Sequence, residues 1–365
     1  MQVLTSTVDQ FLDSIGRSSK STKECYKIGL EHFSRYLAAN KYSDELIRSI
    51  KMGEINVYEL LNGFVSFLMQ RNLSIPSVKM YVASVKSYLE FSDIDIVASK
   101  FRRQVKLPKH YREDELPLDM EDIRNILLKC HNRRLKAYLL VLASSGMRAM
   151  EACTLRIKDV DMTADGSPTR IHIRKEFSKT RRAREVYITD EATKYLRDLI
   201  NSKKDKGSDY LIFTKGKSAL SRSVYFRLLT EFEKLLETVG MNERKENSIR
   251  RKITLHSFRR YVKGVVSDQA GSDYSEWFLG HDHSVYWTRK EPERRKIYAT
   301  KCMHSLTVLD YTELDTHQKN IQSELKVKDK QIQELMQFKK EMQEAYEEIN
   351  ALLKSPEKLS EMLRS

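Results

Sequence analysis

The feature of the sequence that most constrains the fold is where the helical spacing of apolar residues begins, breaks and resumes. Residues 5–96 carry four runs at a period of three to four, which predicts a small helical bundle. The runs are Val8, Phe11 and Leu12; Tyr26, Leu30, Phe33 and Leu37; Leu60, Leu61, Phe64 and Leu68; and Val78, Tyr81, Val82, Val85 and Leu89. Over 99–116 the spacing gives way to a segment rich in Arg and Lys, which predicts a basic linker. We therefore expect a helical domain over residues 1–98.

A second pattern begins at residue 117 and mixes helices with short strands. Helical spacing covers 119–130, 134–145, 190–203, 221–238 and 256–268, and a further short helix follows Gly146. Two segments, RIHIR (170–174) and EVYIT (185–189), have strand character, and the polar stretch KEFSKTRRAR joins them as in a β-hairpin. The pattern predicts a second domain over residues 117–314. The expected fold class is mostly α with a small β-sheet (α+β).

The tail, residues 315–365, has apolar residues at two heptad positions. One position holds Leu325, Ile332, Tyr346 and Leu353, the other holds Leu335, Met342 and Ile349, and Lys328 and Lys339 interrupt the series. This spacing predicts an amphipathic helix that forms a coiled coil or packs on another helix, and a solvated helix is the alternative.

The charge balance favours a polyanionic partner. The 365 residues include 65 Lys and Arg against 51 Asp and Glu, a formal net charge of +14, which suits nucleic acid but also occurs at membrane surfaces. No apolar run approaches the roughly 20 residues of a bilayer span, and the amino terminus lacks a secretory signal pattern. We expect a soluble intracellular protein that binds nucleic acid and no membrane.

The four cysteines are Cys25, Cys130, Cys153 and Cys302. Their scattered positions have neither the spacing of a zinc site nor the density of a disulfide framework. They fit a reducing cytosol, and we expect no metal site and no cofactor.

Two motifs place cationic side chains where a phosphate could bind. In SGMRAME, Arg148 and Glu151 stand three residues apart at a helix start, so that a guanidinium can bind two phosphate oxygens while the carboxylate holds its rear edge. Lys179 lies in the hairpin stretch FSKTRRAR, from which an ammonium could reach a leaving oxygen. Taken alone, each is as readily a surface ion pair or a solvated hairpin tip.

Two further motifs bring histidines. In TLHSFRR, His256 and Arg259 lie three residues apart at a helix start, which itself favours a phosphate. In LGH, a glycine allows a tight turn that leaves His281 at the end of a helix. Each of these motifs is common by chance, so that only the combination is informative.

In their order along the chain, these motifs resemble those of the tyrosine recombinase family, which includes phage integrases and Xer-type recombinases. The resemblance covers about residues 5–312, with the first domain similar to the family's core-binding domain and the second to its catalytic domain. It implies that Arg148, Lys179, His256, Arg259 and His281 are catalytic and that Glu151 supports the first arginine.

The resemblance also implies a reaction and its partners. Members of the family cleave and rejoin double-stranded DNA at specific sites through a 3′-phosphotyrosyl intermediate, without metal or ATP, as tetramers on DNA. The expected setting is the prokaryotic cytoplasm and nucleoid, in a mobile element. In the linker, Arg102, Arg103, Lys106 and Lys109 are expected to contact DNA phosphates, and a solvated hinge is the alternative.

The nucleophile departs from the family pattern. The family usually places its tyrosine about nine residues after Leu-Gly-His, where this chain has Lys290. The segment from Tyr286 is similar to archaeal integrases in which an aromatic pair carries the nucleophile, and Tyr286 followed by Trp287 matches that pair. Tyr286 is therefore expected to be the nucleophile, with Tyr298 as the alternative and Tyr311 as a more distant one.

Two other functions are compatible with these motifs. A type IB topoisomerase uses a similar set of Arg, Lys, His and Tyr, although a separate helical bundle ahead of the catalytic domain is more typical of an integrase. A DNA-binding excision or partition factor with a lapsed active site is the other alternative. The complete set of basic residues argues against such decay.

Overall fold

The computed structural model describes residues 2–42, 45–109, 117–162, 168–178, 180–203, 207–215, 220–244, 250–281, 288–309 and 311–353. The chain divides into two units, Met1–Glu115 and Leu116–Ser365. Each unit has its own core of buried apolar side chains.

The first unit is helical in its described residues. Its helices are α1 (Gln2–Ser18), α2 (Lys20–Ala39), α3 (Leu46–Lys51), α4 (Val57–Gln70), α5 (Ile75–Phe91) and α6 (Ala98–Gln104). Helix α2 packs on α5, and Phe64 of α4 meets Phe33 of α2 edge to face, with ring centroids 5.2 Å apart. The apolar residues at helical spacing thus form one buried seam, as an amphipathic bundle requires.

Part of the predicted linker belongs to this first unit. Residues 98–104 form α6, Val105 is buried, and Phe101 and Leu107 pack against the core of the first unit. These apolar residues hold the segment against the core of the first unit. The sequence analysis did not single them out, because Arg and Lys dominate the segment. Arg102 and Arg103, on α6, and Lys106 and Lys109, which follow it, are exposed.

The second unit is mostly helical. Its helices are α7 (Met120–Lys129), α8 (Arg133–Ser145), α9 (Ala149–Cys153), α10 (Asp190–Asn201), α11 (Ser221–Val239), α12 (Leu255–Ala270), α13 (Ser272–Leu279), α14 (Glu291–Ile297), α15 (Met303–Leu306) and α16 (Tyr311–Leu353). Between α14 and α15 lies a wide π-helical turn, Tyr298–Cys302. Among the described residues, no helix is both long enough and apolar enough to cross a membrane.

A small antiparallel sheet completes the second unit. Strands β1 (Val160–Asp161), β2 (Thr169–Ile173) and β3 (Arg184–Ile188) lie side by side in that order. Ile171 faces Val186, and both are fully buried. The predicted strands are each displaced by one residue, and the prediction of a mostly helical fold with a small β-sheet is confirmed.

Helix α8 crosses the core and ends at a glycine that the packing requires. From Leu135 to Ser145 nearly every residue of α8 is buried, and Gly146 caps the helix in the left-handed conformation, with φ of 59°. A Cβ atom at Gly146 would lie 2.6 Å from Cδ2 of Leu279 and 2.9 Å from Cγ1 of Val262. This close approach brings the end of α8 against α12 and α13.

We expect Gly146→Ala to lower the free energy of unfolding by about 1–3 kcal/mol, because the methyl group meets both a positive φ and a packed core. Gly264→Ala is the matched control, since Gly264 is exposed on α12 and a Cβ there would have no neighbour within 4 Å. The control should change stability by less than about 1 kcal/mol, in the stabilising direction. Urea titrations of both variants test this, and equal stabilities would contradict it.

Candidate phosphate-binding site

A buried carboxylate, that of Glu151, organises the site. Arg148 directly precedes α9, and its backbone N–H donates to Oε2 of Glu151 over 2.8 Å while its Nη1 donates to Oε1 over 2.9 Å. Glu151 is only 2% exposed. The short spacing of the SGMRAME motif therefore fixes the guanidinium of Arg148 at the start of α9, as the sequence led us to expect.

A second arginine, which sequence reasoning missed, completes the cluster. Arg184, the first residue of β3, donates from Nη2 to Oε2 of Glu151 over 2.6 Å and from Nη1 to Oε1 over 3.2 Å. Gly280 makes room for it, since a Cβ there would lie 2.6 Å from Cδ of Arg184. A signal was present in the sequence, because Arg184 shares the alternating, buried face of β3 with Val186 and Ile188.

These contacts decide the charge of Glu151. Burial raises the pKa of its carboxyl, but the hydrogen bonds and charges of Arg184, followed by the hydrogen bonds of Arg148, outweigh burial and hold the pKa below its ordinary value. The carboxylate is therefore ionised at neutral pH, and it links α9 to β3.

Arg259 is fixed by backbone carbonyls. On α12, its Nη1 donates to the carbonyl of Gly146 over 2.7 Å and its Nη2 to the carbonyl of Leu279 over 2.6 Å. Burial and, after it, the nearby charges of Arg148 and Arg184 together lower the pKa of Arg259 to about 9, while Glu151 opposes them. The site thus gathers positive charge that its own carboxylate does not fully offset, and an anion would relieve this repulsion.

His281 is oriented by a neighbour that sequence reasoning also missed. Its Nδ1 lies 2.6 Å from Oε2 of Glu276, and its Nε2 lies 2.9 Å from Nη2 of Arg259. Because a guanidinium only donates, Nε2 must accept and the ring proton is on Nδ1. Nζ of Lys263 lies 2.7 Å from the other carboxylate oxygen of Glu276, Oε1. A glutamate five residues before the histidine has no special spacing in the sequence, so that only the fold reveals its role.

The two histidines are neutral at physiological pH. Burial lowers the pKa of His281. The hydrogen bond that its Nδ1–H donates to Glu276 opposes this effect, and the charge of Arg259 adds to it. The pKa of His256 is lowered first by partial burial and then by the charges of Arg259, Arg148 and His281. His256 nonetheless presents an exposed surface at the start of α12, so that it can accept a proton.

Tyr298 lies in the hydrophobic core. It is fully buried, its hydroxyl donates to the backbone carbonyl of Ser144 over 3.0 Å, and its ring stacks on Phe278 with centroids 5.4 Å apart. Burial raises the pKa of its phenol well above the ordinary value. In this arrangement the hydroxyl is engaged by backbone and is far from ionising.

Three of the predicted site residues cannot be placed against this cluster. Lys179 and Tyr286, like Trp287 beside it, lie outside the described residues. Tyr311 is the first residue of α16, and its side chain lies outside the described part. The structure brings together Arg148, Glu151, His256, Arg259 and His281 and adds Arg184 and Glu276.

Fold and site together define an α+β domain that gathers arginines and neutral histidines around a buried carboxylate. Residues 112–283 match the model of the phage integrase family. This segment of the chain is therefore similar to the phage integrase family, in agreement with the resemblance seen in the motifs.

Known relatives match parts of the chain. Tyrosine recombinase XerD of Rickettsia prowazekii is 31% identical over 213 residues, 53% of this chain and 64% of the relative. Tyrosine recombinase XerA of Pyrococcus horikoshii is 33% identical over 101 residues, 27% of this chain and 33% of the relative. The chain thus spans less than two thirds of the length of either relative.

The fold is also similar to solved structures. A crystal structure of a lambda integrase dimer bound to a COC' core site has a TM-score of 0.55 with 15% identity, and the match covers 79% of this chain and 98% of that one. At this identity the likeness shows a shared fold.

We expect Arg184→Met to destabilise the protein by about 3–5 kcal/mol at neutral pH, because it leaves a buried carboxylate with Arg148 alone. The lowered pKa of Glu151 stabilises the wild type above the ordinary pKa of a glutamate, and this stabilisation is lost as the pH falls through the folded pKa. Without Arg184, burial raises the pKa, so that acidification neutralises the orphaned carboxylate. The stability difference between variant and wild type should therefore shrink as the pH is lowered.

Arg156→Met is the control for this experiment. Arg156 pairs with Asp209 over 2.8 Å, but their side chains are 35% and 66% exposed. Solvent screens an exposed pair, so that it contributes little to stability. Chemical unfolding at several pH values compares the two variants, and a loss in Arg184→Met no larger than in Arg156→Met would show that Glu151 does not depend on the second arginine.

Proposed function

We propose that this protein is a site-specific DNA recombinase that cleaves and rejoins DNA through a covalent 3′-phosphotyrosyl intermediate. The observation that carries the proposal is the cluster of Arg148 and Arg259 with two neutral histidines around the buried Glu151. Such a cluster supplies what phosphodiester cleavage needs, namely fixed positive charge and groups that transfer protons.

The two arginines would bind the non-bridging oxygens of the scissile phosphate. Negative charge grows on these oxygens in the transition state, and donors that are already fixed stabilise it without reorganisation. Arg259 is held by the carbonyls of Gly146 and Leu279, and Arg148 by Glu151. Guanidiniums can thus stabilise this charge in the way a metal ion does in other enzymes, which supports a metal-independent reaction.

The remaining side chains would move protons. Tyr286 attacks the phosphorus and loses its phenolic proton to His256. The lowered pKa of His256 keeps its imidazole neutral, so that it is free to accept this proton. The P–O5′ bond breaks, and Lys179 gives a proton to the departing 5′ oxygen. His281 positions Arg259 through Nε2. The bond energy is retained in the phosphotyrosine, so that a 5′ hydroxyl of another strand can reverse the step without ATP.

The first unit would bind duplex DNA. Arg102, Arg103, Lys106 and Lys109 are exposed on α6 and just after it, where they can contact phosphates. We propose a homotetramer on two specific DNA sites as the active assembly. The relatives and the solved neighbours are named as recombinases, integrases and transposases, which favours strand exchange over a topoisomerase activity.

We expect Tyr286→Phe to abolish the covalent DNA adduct while leaving DNA affinity nearly unchanged. The substitution removes only the phenolic oxygen, and Tyr286 follows His281 closely enough to share its site. Tyr298→Phe is the matched control, because its hydroxyl is engaged by Ser144 in the core, so that it should still form the adduct. The assay uses a nicked suicide duplex whose site has been selected from a random pool by binding to this chain.

Mapping of the linked peptide by mass spectrometry identifies the tyrosine. Loss of the adduct in Tyr298→Phe together with its persistence in Tyr286→Phe would overturn the choice of nucleophile. Absence of any adduct from the wild type on the selected site would overturn the recombinase proposal itself.

Cleavage should also persist in EDTA, because guanidiniums take the place of a metal ion.

Binding of DNA should depend steeply on salt. Several Lys and Arg contacts to phosphates release counterions, so that affinity should fall by at least about tenfold between roughly 50 and 200 mM salt. Fluorescence anisotropy with a labelled duplex measures the slope. A change of only a few-fold, or cleavage that requires magnesium, would count against the proposal.

A further inference from the structure

Helix α16 carries an uncovered apolar face. The helix runs for 43 residues, Tyr311–Leu353, and every residue from 328 to 347 is exposed. Large apolar side chains recur along one side at a spacing of three and four residues. We call this face the tail seam; its members are Ile332, Leu335, Met342, Tyr346 and Ile349, and each is at least half exposed.

Two further apolar residues widen the seam at its centre. Met336 is 68% exposed and Phe338 is 61% exposed, and in the heptad they flank the seam on opposite sides. A helix in water normally buries a stripe of this width against another element. Within the described residues, no side chain of the same chain covers it.

The charges of α16 are unevenly distributed along its length. Residues 328–340 contain four Lys against Asp329 and Glu334, a net charge of +2, whereas residues 341–350 contain four Glu and no basic residue, a net charge of −4. A parallel pair of these helices would place Glu beside Glu. An antiparallel pair places the acidic half of each helix beside the basic half of the other.

We propose that the tail seam pairs with that of a second copy of this chain in an antiparallel two-stranded coiled coil. This goes beyond the proposed DNA chemistry, because the pairing needs no DNA. The two lysines that interrupt the seam favour the same orientation. In a parallel pair Lys339 would face Lys339 of the other copy inside the interface, and Lys328 would face Lys328.

An antiparallel register removes both conflicts if its midpoint along the helix axis is at the level of Gln337, whose own side chain lies on the outer face. It places Lys339 opposite Leu335, over which its alkyl stem can lie, and Lys328 opposite Tyr346, whose ring can take the ammonium on its face. Ile332 then faces Met342. Met336 and Phe338 lie on opposite flanks of the interface near its centre. There each would contact the same residue of the other chain, which gives these two off-seam residues a partner.

The orientation is tested by a distance within the full-length chain, in the absence of DNA. Cys130, Cys153 and Cys302 are buried, so that Cys25→Ser together with Glu347→Cys leaves one accessible site for a spin label. In the proposed register two labels at position 347 are twenty residues apart along the axis, about 30 Å at 1.5 Å per residue. Pulsed electron paramagnetic resonance should give this distance.

A parallel pair would instead give a separation close to the interaxial distance of about 10 Å. That result, or the absence of any intermolecular distance, would overturn the proposal. Docking of the tail on its own chain would leave the single labels of different chains unpaired, so it too would give no intermolecular distance.

Substitutions locate the interface independently. Met342→Asp puts a charge into the seam, and light scattering should show that the dimer is lost, whereas the control Gln337→Asp on the outer face should remain dimeric. Since Met342 is 61% exposed in the single chain, its replacement should leave the melting temperature of the core unchanged. Dimers that survive Met342→Asp would place the interface elsewhere and contradict the proposal.

Discussion

The site depends on one buried ion cluster, in which the carboxylate of Glu151 accepts hydrogen bonds from Arg148 and Arg184. A lone carboxylate at this depth would be strongly unfavourable, and two guanidiniums without it would repel one another. Together they join α9 to β3. Two glycines make the geometry possible, because Gly146 ends α8 against α12 and α13 while Gly280 leaves room for the stem of Arg184.

The same cluster leaves the site electropositive. Arg259 is fixed by two backbone carbonyls, and its pKa of about 9 reflects burial and the repulsion of the other arginines. Folding energy is thus used to hold cations close together before any ligand arrives, which is what preorganised stabilisation of a developing anion requires. The histidines beside them are kept neutral by the same surroundings, so that proton transfer near pH 7 needs no further change of state.

The sequence predicted much of the fold because helical spacing and alternation report burial directly. The short motifs placed Arg148, Glu151, His256, Arg259 and His281, because each motif joins residues one helical turn apart or ends a helix at a glycine. Arg184 and Glu276 were missed, since their partners lie on other elements or at an uninformative spacing. Residues 99–105 were predicted as part of the linker because their many charges outweighed the signal of Phe101 and Val105, which pack against the core of the first unit.

We propose that Arg148 acts by stabilising charge on a non-bridging phosphate oxygen. This role is tested most directly by cleavage of two suicide duplexes. One has the natural scissile phosphate, and the other has a methylphosphonate, in which a methyl group replaces one non-bridging oxygen and removes the negative charge. Arg148→Ala should slow cleavage of the phosphate by about 10²–10³-fold, and it should slow cleavage of the methylphosphonate far less, because the charge it would offset is absent. Equal losses on the two substrates would contradict the claim and leave Arg148 a purely structural role.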